Sequence, residues 1–239
     1  MTAAQQTTAK RLSPFHHKQA SLGAKFTPHD FEWSLAEQFT FPGKEREVAE
    51  REVGLGDLSH LTKLKLNGRD LRQIISRRYN SIGDHLRAQA LIEGTGLYKN
   101  VLCAMLSSDE AMLVFREAIK DQIAKDLSGE PAHFTLVDVS SVLAGCCIVG
   151  PSARAVLRKL TELNVNPQDF PNLSVTHTPV RHVPAVILRK DVGTLLQYEL
   201  FFERAYAEFT WDVIFSAGKE LGLIPLGSSA MKLLGLSLG

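Results

Sequence analysis

The sequence predicts an α+β fold in which antiparallel sheets carry helices packed on one face. Three observations indicate this class: strand-like and helix-like segments follow one another in mixed order, their connections are short, and no regular alternation of strand and helix runs along the chain. The 239 residues, 44% of them hydrophobic, can bury one sizeable core or two modest ones. We therefore expect one or two compact units and no doubly wound parallel sheet.

The first half of the chain begins with polar segments and then shows clear periodicity. Leu64 and Leu66 alternate with Lys63 and Lys65, which is the pattern of a half-buried strand. The patterns predict partly helical segments at residues 19–31 and 45–53, a strand at 58–67, a helix at 69–79, strands at 98–106 and 111–115, and a helix at 117–127.

The second half repeats this mixture of strands and helices. Pro151 occupies a position typical of the first turn of a helix, and Phe209, Val213 and Ala217 align along a longer helix that Gly222 ends. The patterns predict strands at residues 134–140 and 145–149, a helix after residue 151, strands at 173–180, 185–189 and 196–202, and a helix at 205–221.

Composition excludes several classes of partner. Lys and Arg number 27 against 26 Asp and Glu, and a net charge of +1 gives no reason to expect nucleic acid or an anionic membrane surface. No apolar run approaches the roughly 20 residues of a spanning helix. Residues 1–18 lack the apolar region of a secretory signal, so we expect residues 1–12 to be a disordered leader before a domain at 13–239. Three cysteines favour a reducing, cytoplasmic setting over a disulfide framework.

Short motifs of known chemistry do not support a catalytic centre. Residues 235–239 spell the G-x-S-x-G pattern, but the helix and the acid and histidine partners that this motif requires do not follow. Adjacent His16 and His17 cannot present two ligands from one helix face, and no C-x-x-C spacing occurs. We expect no metal site.

A family resemblance rests on longer runs. Residues 22–26 read LGAKF, and residues 53–63 read VGLGDLSHLTK. These runs resemble the LGAKF and VGLFDLSHLGK of the aminomethyltransferase (glycine-cleavage T-protein) family, with Gly56 in place of an aromatic residue. Residues 218–227, ending GLIPLG, are similar to the same family's EFGLVPVG. Residues 106–114 are also similar to the gamma subunit of heterotetrameric sarcosine oxidase.

The resemblance implies the folate-binding-domain fold of two related antiparallel-sheet and helix halves, without the C-terminal barrel domain. It also implies a cofactor, tetrahydrofolate. Residues 189–200 align with the family's RTGYTGEDGYEI, and retain Arg189, Tyr198 and Glu199. In this alignment Glu199 matches the carboxylate that binds the pterin in the family. One carboxylate can accept hydrogen bonds from the ring N–H and the exocyclic amine of a pterin together. Alternatively, Glu199 lies on the solvated side of a half-buried strand whose other face carries Tyr198.

Other candidates have two interpretations as well. Tyr98 could stack on a pterin, or belong to the core or rim as strand tyrosines commonly do. Asp57 and His60 lie in the best-matched run, where bracing of a turn by buried hydrogen bonds is favoured over catalysis. Together, the resemblance implies cofactor-binding roles for Glu199, Tyr98, Arg189 and Tyr198.

Departures from the family pattern weaken the expectation of catalysis. The resemblance implies an acidic pair in a GGxxDDL hairpin, and residues 98–114 do not carry it in register. The family's ARDxLRLEAG becomes AMKLLGLSLG at residues 230–239, which removes both arginines. Three hypotheses follow: a folate-binding module of one-carbon transfer, a non-catalytic subunit that docks on a larger protein through an exposed apolar patch in residues 223–238, and a transferase whose missing barrel domain arrives in trans.

Overall fold

The computed structural model describes residues 11–79, 90–130 and 133–236. Its helices are α1 (His16–Ser21), α2 (Pro42–Arg51), α3 (Leu71–Ser76), α4 (Lys120–Ser128), α5 (Ala153–Arg158), α6 (Ala207–Gly218) and α7 (Ser228–Leu233). Single 3-10 turns cover Asp30–Glu32, Gly96–Tyr98, Glu117–Ile119, Arg204–Tyr206 and Lys219–Leu221. None of the helices in these ranges is both long and apolar enough to cross a membrane.

The strands form a small sheet and a large one. They are β1 (Arg11–Leu12), β2 (Lys25–Pro28), β3 (Trp33–Gln38), β4 (Val53–Asp57), β5 (Thr62–Asn67), β6 (Ala90–Glu93), β7 (Leu102–Met105), β8 (Glu110–Phe115), β9 (Thr135–Asp138), β10 (Leu143–Val149), β11 (Ser174–Val180), β12 (Val183–Arg189), β13 (Gln197–Glu203) and β14 (Leu223–Leu226). The small sheet has the order β1-β3-β2, and the large one β14-β4-β10-β13-β12-β11-β6-β7-β8-β5-β9.

The pairing confirms the predicted α+β class. Among the described strands only β1–β3 and β14–β4 pair in parallel, and every other neighbour pair is antiparallel. The strands β4 and β10–β13 form one half of the large sheet, and β5 with β7–β9 form the other. Residues 58–61 connect β4 directly to β5, so the two halves meet at this junction.

Three groups of buried side chains place the halves relative to each other. An α6 cluster joins β10, β12 and β13 to helices α5 and α6, through Ile148, Ile187, Leu200, Val156 and Trp211. An α4 cluster joins β5, β7 and β8 to helices α3 and α4, and contains Leu66, Cys103, Leu113, Ile74 and Ile123. A central cluster combines inward side chains of both halves with α7, and contains Leu58, Leu61, Leu102, Met112, Cys147, Val149, Leu188, Phe201, Leu226 and Met231. The helices therefore cover outer faces, and the two halves share a buried interior.

Several predicted boundaries differ from the structure. Residues 53–57 form strand β4, which the sequence analysis did not identify because Gly54 and Gly56 are poor strand formers. Residues 19–31 contain the end of α1 and then strand β2, so their helical part is short. Arg11–Leu12, expected in a disordered leader, pair with β3. Residues 1–10, the rest of that leader, lie outside the described residues.

The long C-terminal helix is confirmed, but its buried face was wrongly assigned. Phe209 is 47% exposed, whereas Trp211 and Ile214 are buried in the α6 cluster. The buried face of α6 follows Ala207, Trp211, Ile214 and Ala217, whose spacing of three or four residues is that of one helix face. The predicted stripe therefore shares Ala217 with the buried face, but its first member, Phe209, lies toward solvent.

Candidate functional site

Glu199 lies on an interior strand of the large sheet, on the face that points between the two halves. In strand β13 it stands opposite Cys147 of β10 and Leu188 of β12, and both neighbours belong to the central cluster. Cross-strand partners share a face of the sheet, so the carboxylate projects into this apolar interior. Its exposed fraction is 1%. The interpretation of Glu199 as a solvated surface residue is therefore wrong.

A second polar side chain accompanies this carboxylate. Gln197, two residues earlier on the same strand face, is 2% exposed, and its Nε2 donates to Glu199 Oε1 at 2.7 Å. Glu199 Oε2 and Gln197 Oε1 are both buried and have no hydrogen-bond partner among the described residues. Buried polar atoms are nearly always paired, and leaving one unpaired costs roughly 1–3 kcal/mol. The pair thus offers two hydrogen-bond acceptors to a group that supplies donors.

The environment of Glu199 changes its acidity. Burial raises the pKa of this carboxyl to about 7, against the smaller opposing effects of the Lys190 charge and the hydrogen bond from Gln197. Glu199 is thus poised between protonated and ionised forms near neutral pH. A ligand that donates hydrogen bonds to its oxygens would favour the ionised form.

Arg189, on the neighbouring strand β12, is occupied by the protein itself. Its Nη2 and Nε donate to the two oxygens of Asp191 at 2.7 and 3.1 Å, and its Nη1 donates to the Phe170 carbonyl at 2.7 Å. Asp191 Oδ1 also accepts from the backbone N–H of Gln197 at 3.3 Å. Arg189 therefore holds Asp191 in the turn that leads into β13, and Asp191 in turn holds the backbone of Gln197.

The two tyrosines named by the sequence analysis are not brought to this site. Tyr198 lies on the opposite face of β13 in the α6 cluster, where its ring stacks on Phe170 with centroids 6.4 Å apart. Tyr98 belongs to a 3-10 turn and not to the predicted strand, and its ring is buried in the α4 cluster. Its hydroxyl donates to Asp126 Oδ2 at 2.7 Å and accepts from Arg78 Nε at 3.1 Å.

The row of inward residues on this face continues to strand β4. Gly56 stands opposite Cys147, which in turn stands opposite Glu199. A Cβ atom on Gly56 would lie 2.6 Å from the sulfur of Met231 on α7. The thioether of Met231 thus occupies the space over Gly56, beside the row that carries the carboxylate.

The best-matched sequence run contains one bracing residue and one unexplained histidine. Asp57 accepts hydrogen bonds from the Ser59 backbone N–H at 2.8 Å, from Gln19 Nε2 at 3.1 Å and from the Ser13 hydroxyl. This confirms the bracing interpretation for Asp57. His60 differs, because its Nδ1 is buried without a partner among the described residues.

The hairpin of β7 and β8 presents its acidic residues to solvent. Asp109 is exposed and accepts from the Ser107 hydroxyl at 2.6 Å, and Glu110 forms an ion pair with Lys65 at 2.6 Å. The inward side chains of this hairpin, Leu102, Ala104, Met112 and Val114, are apolar. Within the described residues, this hairpin therefore brings no carboxylate to the central cluster. Nor do those residues contain a group of three or more His, Cys, Asp and Glu that could hold a metal ion.

Sequence reasoning missed Gln197 as a partner of Glu199. The signal was available, since residues two apart on a strand point to the same face. It was not used because the family resemblance marks the Tyr-Glu pair, whose members point to opposite faces.

Comparisons with known proteins agree on one fold. The family model described as the GCVT N-terminal domain matches residues 15–239. The aminomethyltransferase of Anoxybacillus flavithermus is 28% identical over 229 residues, which cover 91% of this chain and 61% of that protein. Sarcosine oxidase subunit alpha of Rhizobium meliloti is 24% identical, over 96% of this chain and 25% of that protein.

Two solved structures share the fold. The glycine cleavage system aminomethyltransferase T from Bartonella henselae superimposes with a TM-score of 0.77 at 16% identity, covering 94% of this chain and 61% of that chain. A chain of heterotetrameric sarcosine oxidase from Corynebacterium superimposes with a TM-score of 0.62 at 21% identity, covering 89% of this chain and 96% of that chain. The chain thus spans about three fifths of the length of the aminomethyltransferases it matches.

Proposed function

This chain belongs to the GCVT N-terminal domain family, and from that premise we propose that it is a tetrahydrofolate-binding module of one-carbon transfer. The supporting observation is the buried pair of Glu199 and Gln197, whose outer oxygens have no partner among the described residues. A pterin head carries a ring N–H and an exocyclic amine side by side, and a carboxylate can accept from both. Two vacant acceptors in an apolar interior fit such a ligand.

The apolar walls around Glu199 also fit a flat ring. Leu188 and Cys147 flank the carboxylate on the two neighbouring strands, and small-molecule sites are typically apolar with a few precisely placed polar groups. Because Glu199 is covered in this structure, binding requires side chains of the central cluster to move. In this proposal Arg189 acts as a positioning residue, and Tyr98 and Tyr198 support the two outer clusters.

We further propose that the isolated chain has little or no transferase activity. Iminium transfer to a folate nitrogen requires a proton donor or acceptor at the reacting atom. The acidic side chains of the β7–β8 hairpin face solvent or pair with Lys65. Met231 stands where the family's pattern places an arginine, and it packs over Gly56. In this proposal Glu199 and Gln197 hold the ligand, and the β7–β8 hairpin supplies no carboxylate for the proton transfer.

Calorimetric titration with tetrahydrofolate and with 5-formyltetrahydrofolate tests the binding proposal. Glu199→Gln replaces one acceptor oxygen with an amide donor and should weaken binding by about 10- to 150-fold, which corresponds to about 1.5–3 kcal/mol. Glu203→Gln is the matched control, because Glu203 is an exposed glutamate at the end of the same strand. Binding of the wild type should also strengthen as pH rises through about 7, where Glu199 ionises. Equal affinity in the wild type and Glu199→Gln would contradict the proposal.

A second candidate function is a non-catalytic subunit of a larger complex. It is supported by the match to a chain of heterotetrameric sarcosine oxidase, because the matched region covers 96% of that chain. The apolar patch was expected in residues 223–238, of which the structure describes 223–236. Within that part Leu223, Leu226 and Met231 are at most 8% exposed, whereas Leu233 is 52% exposed. If the wild type binds no folate, this candidate replaces the first, and co-purification with a larger subunit becomes the test.

We also propose a cytoplasmic location for the protein. Cys103, Cys146 and Cys147 are buried and unpaired thiols. Burial raises the pKa of each, so they are inert structural cysteines that a reducing compartment preserves. Fluorescent fusion imaging tests this proposal.

A further inference from the structure

A groove lies between the tip of the β11–β12 hairpin and the turn that follows helix α5. Its volume is about 390 Å³, and it is open to solvent. Residues 159–162 line one side, and side chains of the hairpin tip within residues 178–182 line the other. No residue of the central cluster lines it. The groove is therefore separate from the proposed folate site, and its volume lies within the range of small-molecule sites, roughly 300–1,000 Å³.

Arg181, at the tip of this hairpin, has an unusual backbone conformation. The chain turns through Arg181 and His182, because Val180 pairs with Val183 across the hairpin. The φ angle of Arg181 is +56°, in the left-handed region that glycine and asparagine adopt most readily in two-residue turns. An arginine here costs folding free energy, and residues held in such conformations concentrate at functional sites. The strained residue places a guanidinium at the groove.

One backbone hydrogen bond connects the two sides of the groove. The N–H of Arg181 donates to the carbonyl of Leu160 at 2.6 Å. Leu160 is 2% exposed and belongs to the α6 cluster. The hairpin tip is therefore fixed against the turn after α5, and the polar side chains of the groove extend from a rigid base.

Positive charges and hydrogen-bond donors predominate in the lining. Lys159 and Arg181 carry two positive charges, and His182 adds a third when it is protonated. The side chains of Arg181 and His182 are exposed and form no ion pair with a described residue. Thr161 Oγ1 accepts from the backbone N–H of Leu163 at 3.2 Å, and a hydroxyl that accepts still carries a proton to donate. The groove therefore favours an anion.

Two carboxylates limit which anion fits. The Nζ of Lys159 donates to the carbonyl of Ala217 at 3.0 Å, and its pair with the 86% exposed Glu220 is long, at 3.5 Å. An exposed pair of this kind neutralises the ammonium only weakly. Among the described lining residues, Glu162 alone is acidic, and it is exposed. A carboxylate there repels a second anionic group and accepts hydrogen bonds from hydroxyl groups.

We propose that this groove binds a small sugar monophosphate. Arg181 and Lys159 hold the phosphate, because the guanidinium offers paired N–H donors to two phosphate oxygens and the ammonium adds a point charge. Hydroxyl groups of the sugar donate to the carboxylate of Glu162. Only Leu160 and Pro179 contribute aliphatic side chains to the described lining, so a polar ligand body fits better than an apolar ring.

The test is an NMR titration of the full chain with glucose 6-phosphate at constant ionic strength, followed by ¹H–¹⁵N spectra. We expect a Kd on the order of 1 mM, from the usual affinity of a ligand of about 16 heavy atoms. Shifts should concentrate at residues 159–162 and 178–182. Glucose should cause no shifts at about 20 mM, because it lacks the charged group. Inorganic phosphate should bind about fivefold more weakly, because it brings no sugar hydroxyl groups to Glu162.

Two substitutions of Arg181 separate binding from folding. Arg181→Gly and Arg181→Asn both suit a positive φ, so their urea midpoints should equal or exceed that of the wild type. Both should weaken glucose 6-phosphate by about fivefold or more through loss of the guanidinium. Glu162→Gln should narrow the preference for glucose 6-phosphate over inorganic phosphate. Arg158→Gln is the control, because Arg158 is exposed on α5 and does not line the groove.

The outcomes that would overturn the proposal are specific. They are unchanged binding in both Arg181 variants, equal affinity of the wild type for glucose 6-phosphate and inorganic phosphate, or no shifts in the two segments at about 20 mM ligand. Glu199→Gln should bind glucose 6-phosphate as the wild type does, whether or not the chain binds folate. Loss of binding in Glu199→Gln would place the sugar phosphate at the central cluster and would also overturn the proposal.

Discussion

The sulfur of Met231 lies over the backbone of Gly56, 2.6 Å from where a Cβ atom of residue 56 would stand. The Sγ of Cys147 lies 2.9 Å from the same point. Both Gly56 and Met231 depart from the family's sequence pattern, which has an aromatic residue and an arginine there. In this structure the two departures form one packing arrangement, because the thioether fills the space that a side chain at position 56 would need.

A double-mutant cycle measures this relationship. Gly56→Ala alone should destabilise the protein by about 1–3 kcal/mol, because the new methyl group overpacks against two sulfur atoms. Met231→Ala alone should cost about 2–4 kcal/mol through the cavity it leaves. The double variant should be more stable than the sum of the two effects, by about 1 kcal/mol or more. Urea unfolding of the four proteins gives the coupling, and strictly additive effects would show that the two residues pack independently.

The close packing at Gly56 also shows why one strand could not be predicted from the sequence, although others could. Strands β11–β13 and helix α6 were identified because apolar residues recur there with clear periods of two or of three to four. Strand β4 was missed because Gly54 and Gly56 contribute no side chain to its pattern. The reason for both glycines is tertiary: a Cβ on Gly54 would lie 2.4 Å from Leu226. Such close approaches are invisible in one sequence.

The candidate site was predictable only in part. Glu199 was identified from the family pattern, but its burial could not be, since Cys147 and Leu188 are distant in sequence and become neighbours only through sheet pairing. Tyr98 was placed in a strand because of the apolar residues after it, and it forms a 3-10 turn instead. A cavity lined by side chains of residues 29–36, 57–61, 116–118 and 226–232, His60 among them, was not predicted at all, because these four segments are distant in sequence.

Glu199 should make stability depend on pH. Burial raises the folded-state pKa to about 7 from an ordinary value of 4.5, so the folded protein holds a proton that the unfolded chain has lost between these values. The contribution of Glu199 is therefore full below pH about 4.5 and is lost as pH rises to about 7, by an amount on the order of 3 kcal/mol. The sign is opposite to that of a carboxylate held in an ion pair.

A difference measurement isolates this effect. His60, whose pKa is lowered to about 3, makes stability rise with pH over part of the same range, so the wild-type profile alone is a mixture. Urea unfolding of the wild type and Glu199→Gln at several pH values between 5 and 8 gives the difference. The variant should gain stability relative to the wild type as pH rises, and Glu203→Gln should show no such trend. Parallel profiles for the wild type and Glu199→Gln would show that the carboxyl is not perturbed by burial.

The carboxylate of Glu45 connects helix α2 to the backbone at residues 39–40 and at Gly227, and we expect its removal to lower the free energy of unfolding. Its Oε1 accepts from the backbone N–H groups of Phe39 and Thr40, both at 2.7 Å, and its Oε2 accepts from that of Gly227 at 2.8 Å. The carboxylate is 1% exposed. Glu45→Ala leaves three N–H donors without this acceptor and should cost at least about 2 kcal/mol. Glu47→Ala, which removes an exposed pair with Arg51, should cost less than about 0.5 kcal/mol. A small effect in both would mean that water replaces the Glu45 contacts.

The last prediction is that the isolated chain has no aminomethyltransferase activity. The purified protein should neither release ammonia nor form methylenetetrahydrofolate from an aminomethylated lipoyl carrier, because no described carboxylate of the β7–β8 hairpin faces the central cluster and Met231 fills the space over Gly56. Ammonia release is measured with and without folate, beside a full-length aminomethyltransferase as the positive control. Folate binding without turnover would support a module that carries the ligand. Turnover only after a separate barrel domain is added would instead favour a transferase completed in trans, and turnover by this chain alone would show that another residue handles the proton.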